Sequence, residues 1–134
     1  MKSVVLRHEV EAYCARIGSD PMMVQGAGGN VSWKDGDVLW VKASGTWLKD
    51  ALKQDIFVPV DLRSLNVGFE NNNFSVQPQV VGQTSLRPSI ETLLHGLMPH
   101  PMVVHLHALL NLDLIAEEDH QLQLTTVSSS TQVK

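Results

Sequence analysis

The run RPSIETLLHGLMPHPMVVHLHALL, residues 87–110, constrains this chain more than any other stretch. Pro88 suits the first turn of a helix, where its missing amide hydrogen would have had no partner anyway. The spacing predicts a helix over 88–97, with Leu93, Leu94 and Leu97 facing a core, stopped by Pro99 and Pro101. MVVHLHALL then begins as a strand, whose two-residue period puts His105 and His107 on one side. Glu91 and His95 are four apart and share a helix face. A helix carboxylate beside two strand imidazoles makes a partial zinc shell, where a catalytic zinc usually takes three protein ligands and a water. The same two histidines also read as imidazoles hydrogen-bonded within a core. Both readings stand on the residues alone.

Upstream lies VQGAGGNVSW, residues 24–33. Gly26, Gly28 and Gly29 allow close backbone approach to a ligand or a positive φ. Asn30 can bond its own turn or a ligand. Val31 and Trp33 alternate with Ser32 and Lys34, as in a half-buried strand. Asp35-Gly36 is a hairpin turn signal, and Val38 to Val41 form the returning strand. Ala43-Ser44-Gly45 is a second small-residue turn. Two such turns at one end of a hairpin form an anion nest if their amides converge. They equally well just join strands: the glycines do not fit GxGxxG, and there is no P-loop lysine.

Around these lies a scaffold. Residues 3–17 read as a helix, with Val5, Leu6, Val10, Tyr13, Cys14 and Ile17 at helical spacing and Ser3 as cap. Cys14 is expected as core filler and His8 on the solvent side. Residues 46–54 read as a short helix capped by Thr46, with Lys49 and Lys53 one turn apart. Residues 55–62 read as a strand, and Pro59 places it at an edge or an irregularity. Residues 63–86, rich in Asn and Gly, read as a long loop with extended pieces at 74–76 and 79–81. After Leu110, residues 111–119 can extend a helix, QLQLTT alternates, and VSSSTQVK is polar and frayed.

Composition narrows the function. The 134 residues make about one domain. A net charge of -4 argues against nucleic acid or an anionic membrane as main partner, since both need a concentrated positive field. Cys14 is the only cysteine, which excludes an internal disulfide and a thiolate cluster. There is no signal peptide and no apolar run of membrane-spanning length, so a cytoplasmic location is expected.

The motifs, in order, resemble the class II aldolase/adducin family in its sugar-phosphate aldolase branch: GGNVSW at 28–33, KASGT at 42–46, RPSIETLLH at 87–95 and VVHLH at 103–107. The resemblance covers most of residues 20–110. It implies an α/β fold, a three-layer α/β/α arrangement around a mainly antiparallel central sheet. It implies zinc or another divalent metal, and a homo-oligomer, often a tetramer. The implied reaction is reversible retro-aldol cleavage of a ketose phosphate of the fuculose, rhamnulose or ribulose type, through a metal-stabilised enediolate. His105 and His107 match metal ligands, and Glu91 matches the acidic residue that sits at the metal and acts as acid/base. Gly29, Asn30, Ser44 and Gly45 match the phosphate-binding turns. Ser89 matches the first of a serine pair whose second member here is Ile90.

The family places a third histidine well downstream. Residues 111–134 do not match that half, so the expectation is a single partial domain over 1–134 with an atypical tail, and His120 as a weak third ligand. Two other readings follow from the same resemblance. One is a catalytically degenerate, adducin-like domain acting through protein contacts. The other is a related sugar-phosphate epimerase or dehydratase using the same enediolate logic.

Overall fold

The computed structural model describes residues 6–107 and 125–128. Its elements in chain order are α1 (Arg7–Gly18), β1 (Asn30–Asp35), β2 (Val38–Lys42), a 3₁₀ turn (Leu48–Asp50), β3 (Phe57–Asp61), α2 (Leu62–Glu70), α3 (Thr92–Leu97), β4 (Met102–Leu106) and β5 (Thr125–Ser128). The strands form one five-stranded sheet in the order β3-β2-β1-β4-β5. Three neighbouring pairs are antiparallel and β4–β5 is parallel. The mainly antiparallel sheet is therefore present.

Register sorts the side chains. Trp33 pairs with Trp40 on one side and Met102 on the other, and Val31 with Val104. These residues share one face with Phe57 and Leu106, and α1 covers them through Val10, Cys14 and Ile17. Trp33 packs edge-on to Phe57, with centroids 4.8 Å apart. The opposite face presents Leu39, Val41, Val58 and Val60, covered by Leu62 and Leu65 of α2 and by Leu93 of α3. Helices on both faces give three layers, because each sheet face is apolar and must be buried. The first four residues of β1 are buried without alternation, since β1 is central and covered on both sides. The half-buried strand expected there is corrected accordingly.

Other expectations are also corrected. Helix α1 begins at Arg7, and Ser3 lies outside the described residues. Thr46 caps no helix: its Oγ1 donates to the Ala43 carbonyl, and the segment after it makes only the 3₁₀ turn. Residues 62–70 are helix rather than loop, opened by the Asp61 carboxylate accepting from the Arg63 amide at 3.0 Å. Only the part of the expected loop beyond Glu70 is irregular, and its Val80 bridges to Val60 beside the Pro59 edge. Helix α3 starts at Thr92, because Pro88 is engaged in an extended bridge with Ala43. It buries Thr92, His95 and Gly96, while Leu94 and Leu97 face outward. Gly96 sits where an added Cβ would come 2.9 Å from the end of the Leu65 side chain, which would have to turn aside to admit it. Val127 and Ser128 belong to β5 rather than to a frayed end. The expected helix over 111–119, and His120, lie outside the described residues.

Candidate functional site

The sheet brings residues distant in sequence to the α2/α3 face. Asn30, at the start of β1, pairs directly with His105 of β4. Asn30 is buried, and its Nδ2 donates to Ser89 Oγ at 2.5 Å. Ser89 Oγ also accepts the Glu91 amide at 3.0 Å, and the Ser89 carbonyl accepts from Thr92 Oγ1 at 2.5 Å. This short bend delivers the Glu91 side chain over β4. Its Oε1 lies 2.6 Å from His105 Nδ1. The His107 ring lies 5.2 Å from the His105 ring, centroid to centroid. Glu91, His105, His107, Asn30 and Ser89 are thus assembled as neighbours.

A carboxylate accepts and cannot donate, so Nδ1 of His105 is the donor, and in the neutral ring Nε2 keeps a free lone pair. Such a carboxylate–imidazole pair commonly orients a metal-binding histidine. Burial alone would push the Glu91 carboxyl up. Hydrogen bonds from His95 and His105, with the charge of both rings, outweigh it and hold the group down to about 2. Asn30 Oδ1 is buried with no partner. Turning the amide over would exchange the ends: Ser89 would donate to Oδ1 and Nδ2 would become the free donor. In either orientation one amide atom remains for a ligand.

The two glycine turns sit beside this cluster. Gly29 has a φ of +78° and Gly45 a φ of +80°, both in the left-handed region that favours glycine. A Cβ on Gly29 would approach Leu48 at 3.1 Å. The Ser44 amide donates to the Arg87 carbonyl at 2.8 Å, which ties the second turn to the segment that carries Ser89. Ser44 itself is exposed. Lys42, only 3% exposed, joins the turns: its Nζ donates to the Ala27 carbonyl at 3.1 Å and the Thr46 carbonyl at 2.6 Å. Burial lowers its pKa, opposed by the charge of Glu91.

Sequence reading gave Lys42, Ser32 and His95 no role in the site, although it placed His95 on the helix face of Glu91. Ser32 Oγ lies 2.6 Å from His95 Nδ1, and His95 Nε2 lies 3.4 Å from Glu91 Oε1. The available signal for His95 was its four-residue spacing from Glu91. For Ser32 it was a hydroxyl in a strand buried on both faces.

Zinc or another divalent cation fits the donor chemistry here, one carboxylate and two imidazoles on adjoining elements. Among the described residues, however, no three His, Cys, Asp or Glu side chains are gathered as a finished metal centre. Glu91 and His105 are joined to each other instead.

The architecture is that of a layered α/β domain with a carboxylate–histidine pair at the end of its central strands. Residues 8–121 match the Class II Aldolase and Adducin N-terminal domain. The chain belongs to that family. It is similar to a solved structure, the N-terminal class II aldolase domain of a conserved protein from Thermoplasma acidophilum, with a TM-score of 0.61 and 28% sequence identity. That similarity covers 87% of this chain and 66% of the other. No curated protein matches the sequence.

Proposed function

We propose that this domain is a metal-dependent lyase of the aldolase type, cleaving a ketose phosphate of the fuculose, rhamnulose or ribulose kind. The observation that carries this reading is the Glu91 carboxylate held 2.6 Å from His105, next to the Asn30–Ser89 pair and two positive-φ glycine turns. A proton-transfer group beside glycine turns that let backbone approach a phosphate is what retro-aldol chemistry on a phosphorylated sugar needs. His105 and His107, with Glu91, would hold zinc or another divalent cation, which when bound supplies Lewis-acid stabilisation of negative charge developing on the sugar. Glu91 takes or returns the proton. Gly29, Asn30, Ser44, Gly45 and Ser89 anchor the phosphate. His120, the weak candidate, or a neighbouring copy in a homo-oligomer such as a tetramer, supplies any further ligand. A cytoplasmic setting matches the substrate class. A related epimerisation or dehydration would use the same groups.

The test is turnover of ketose 1-phosphates by protein loaded with Zn²⁺, followed as release of the three-carbon product. Glu91→Gln should lower kcat by about 100-fold or more, the scale of a general acid or base. Protein that takes up no Zn²⁺, or that cleaves none of these sugars once loaded, sinks the reading.

One feature favours the second reading, an adducin-like contact domain without catalysis. Ile90 is 97% exposed, and Leu94 and Leu97 lie outward beside it. Light scattering of wild type against Ile90→Ser/Leu97→Ser separates a self-contact from an inert apolar edge.

A further inference from the structure

We infer that His95 is a positioning residue for Glu91: it pins one carboxylate oxygen and leaves the other for chemistry. The inference rests on the proposed role of Glu91 and adds a residue and an atom assignment to it.

His95 is fully buried on α3, with both ring nitrogens facing polar atoms. Ser32 Oγ is 2.6 Å from Nδ1. On the far side, Nε2 has only Glu91 Oε1, at 3.4 Å, longer than an ideal hydrogen bond, and is otherwise without a partner. A buried imidazole nitrogen without a partner is costly, so what faces it decides the tautomer. An ionised carboxylate cannot donate. A lone pair on Nε2 would therefore point at a negative oxygen. A proton on Nε2 meets it favourably and leaves Nδ1 to accept the Ser32 hydroxyl. The hydroxyl can rotate to donate, so with a neutral ring the whole chain is satisfied in one sense only: Ser32 to His95, His95 to Glu91.

His105 reaches the same oxygen from β4, with Nδ1 2.6 Å from Oε1. Two N–H groups from different elements thus converge on Oε1. Among the described residues no side chain donates to Oε2. An oxygen that accepts a hydrogen bond from His105 and faces the His95 N–H at 3.4 Å is the weaker base, and Oε2 is the oxygen left to take or give a proton. The fixed Glu91 in turn holds His105 in the tautomer whose Nε2 lone pair is free. Ser32 and His95 therefore act on the site without touching a substrate.

The alternative is a core histidine that merely fills space. The two are separated in metal-free protein labelled with ¹⁵N-histidine, by NMR of the ring nitrogens. His95 should be the Nε2–H tautomer and His105 the Nδ1–H tautomer. His95→Phe fills the volume without the donor. It should speed solvent exchange of the His105 Nδ1 proton by about tenfold, while near-UV circular dichroism shows the fold intact. His95→Gln places an amide nitrogen near Nε2 and should restore slow exchange. Ser32→Ala is the second probe, for the case in which His95→Phe does not fold: it should make the Nδ1–H form of His95 detectable. In Zn²⁺-loaded protein, His95→Phe should weaken Zn²⁺ binding by about 10- to 100-fold, the range for outer-shell partners of a metal ligand. A His95 found on Nδ1–H, or a folded His95→Phe with unchanged His105 exchange, overturns the inference. So does a Ser32→Ala protein with an unchanged His95 tautomer. Failure of wild-type protein to bind Zn²⁺ overturns the proposed function alone, because the metal-free tautomers still decide the role of His95.

Discussion

Glu91 is where separate parts of the chain meet, and its protonation sets what it can do. A carboxyl held down to about 2 is fully ionised at neutral pH. It starts as a base, and a weak one while both histidines donate to it. Withdrawing the His105 donor, as in His105→Ala, leaves burial in place, and burial raises the pKa, so that variant should hold a Glu91 that is the stronger base. The shift also carries a stability prediction. The folded pKa lies below the ordinary 4.5, so the contribution is present above that value and lost as pH falls from there towards 2. Metal-free wild type should be more stable than Glu91→Gln at neutral pH, and the gap should close across that window in urea melts; a constant gap would show that Glu91 is not held this way. Cys14 shows the opposite environment. Burial between its own helix α1 and the sheet, with the charge of Glu11, pushes its thiol up to about 12. The thiolate is the reactive form, so folded protein should resist a disulfide reagent at about pH 8 and react at once in denaturant.

At the scale of elements, helix α2 shows what the sequence hid. Its residues LRSLNVGFE contain Asn66 and Gly68, poor helix formers, and run into Asn71, Asn72 and Asn73. That composition resembles a loop, yet the asparagines end a helix. Asn72 has a φ of +59°, Asn73 N–H reaches the Gly68 carbonyl at 2.8 Å and Asn72 N–H reaches Phe69 at 3.0 Å. These paired bonds around a left-handed residue are a Schellman cap, which Asn tolerates almost as glycine does. Gly68 is there because the returning chain lies on it: a Cβ would come 2.9 Å from Val76. The β1–β2 hairpin was legible because Asp35-Gly36 and the strands around it are local signals. Helix α2 and the true start of α3 were not, because tertiary contacts with Val76 and the Ala43–Pro88 bridge decide them. The same limit applies to the site. Glu91, His105 and Ser89 were marked by motif, whereas Ser32 and Lys42 matter only through the strands beside them. If Asp61 is the start signal for α2, Asp61→Ala should cost about 1 kcal/mol, the usual loss of a side-chain cap. Denaturant melts read this as a lower midpoint at unchanged slope. No change would mean that packing on the sheet alone fixes α2.

At the scale of the whole molecule, the site as a whole is not local. Asn30 and Ser32 come from β1, Ser89 and Glu91 from the connection into α3, His95 from α3 and His105 from β4, and these meet only when β1 and β4 are paired. An unfolded chain presents the same donors at distances a cation cannot bridge. A cation held here therefore binds the folded state preferentially and must stabilise it by mass action. At a Zn²⁺ concentration 100 times the dissociation constant the gain is about 2.7 kcal/mol. For a domain of this size that corresponds to a rise of roughly 10 °C in Tm. The gain should vanish in His105→Ala/His107→Ala, read against that variant's own metal-free Tm, which loss of the Glu91–His105 hydrogen bond should lower. Glu91→Gln should lose only part of it, since a carboxamide still offers an oxygen. A Tm that does not move with Zn²⁺, or that moves equally in the double variant, would place any metal elsewhere and leave Glu91 and His105 as a hydrogen-bonded pair joining α3 to the sheet.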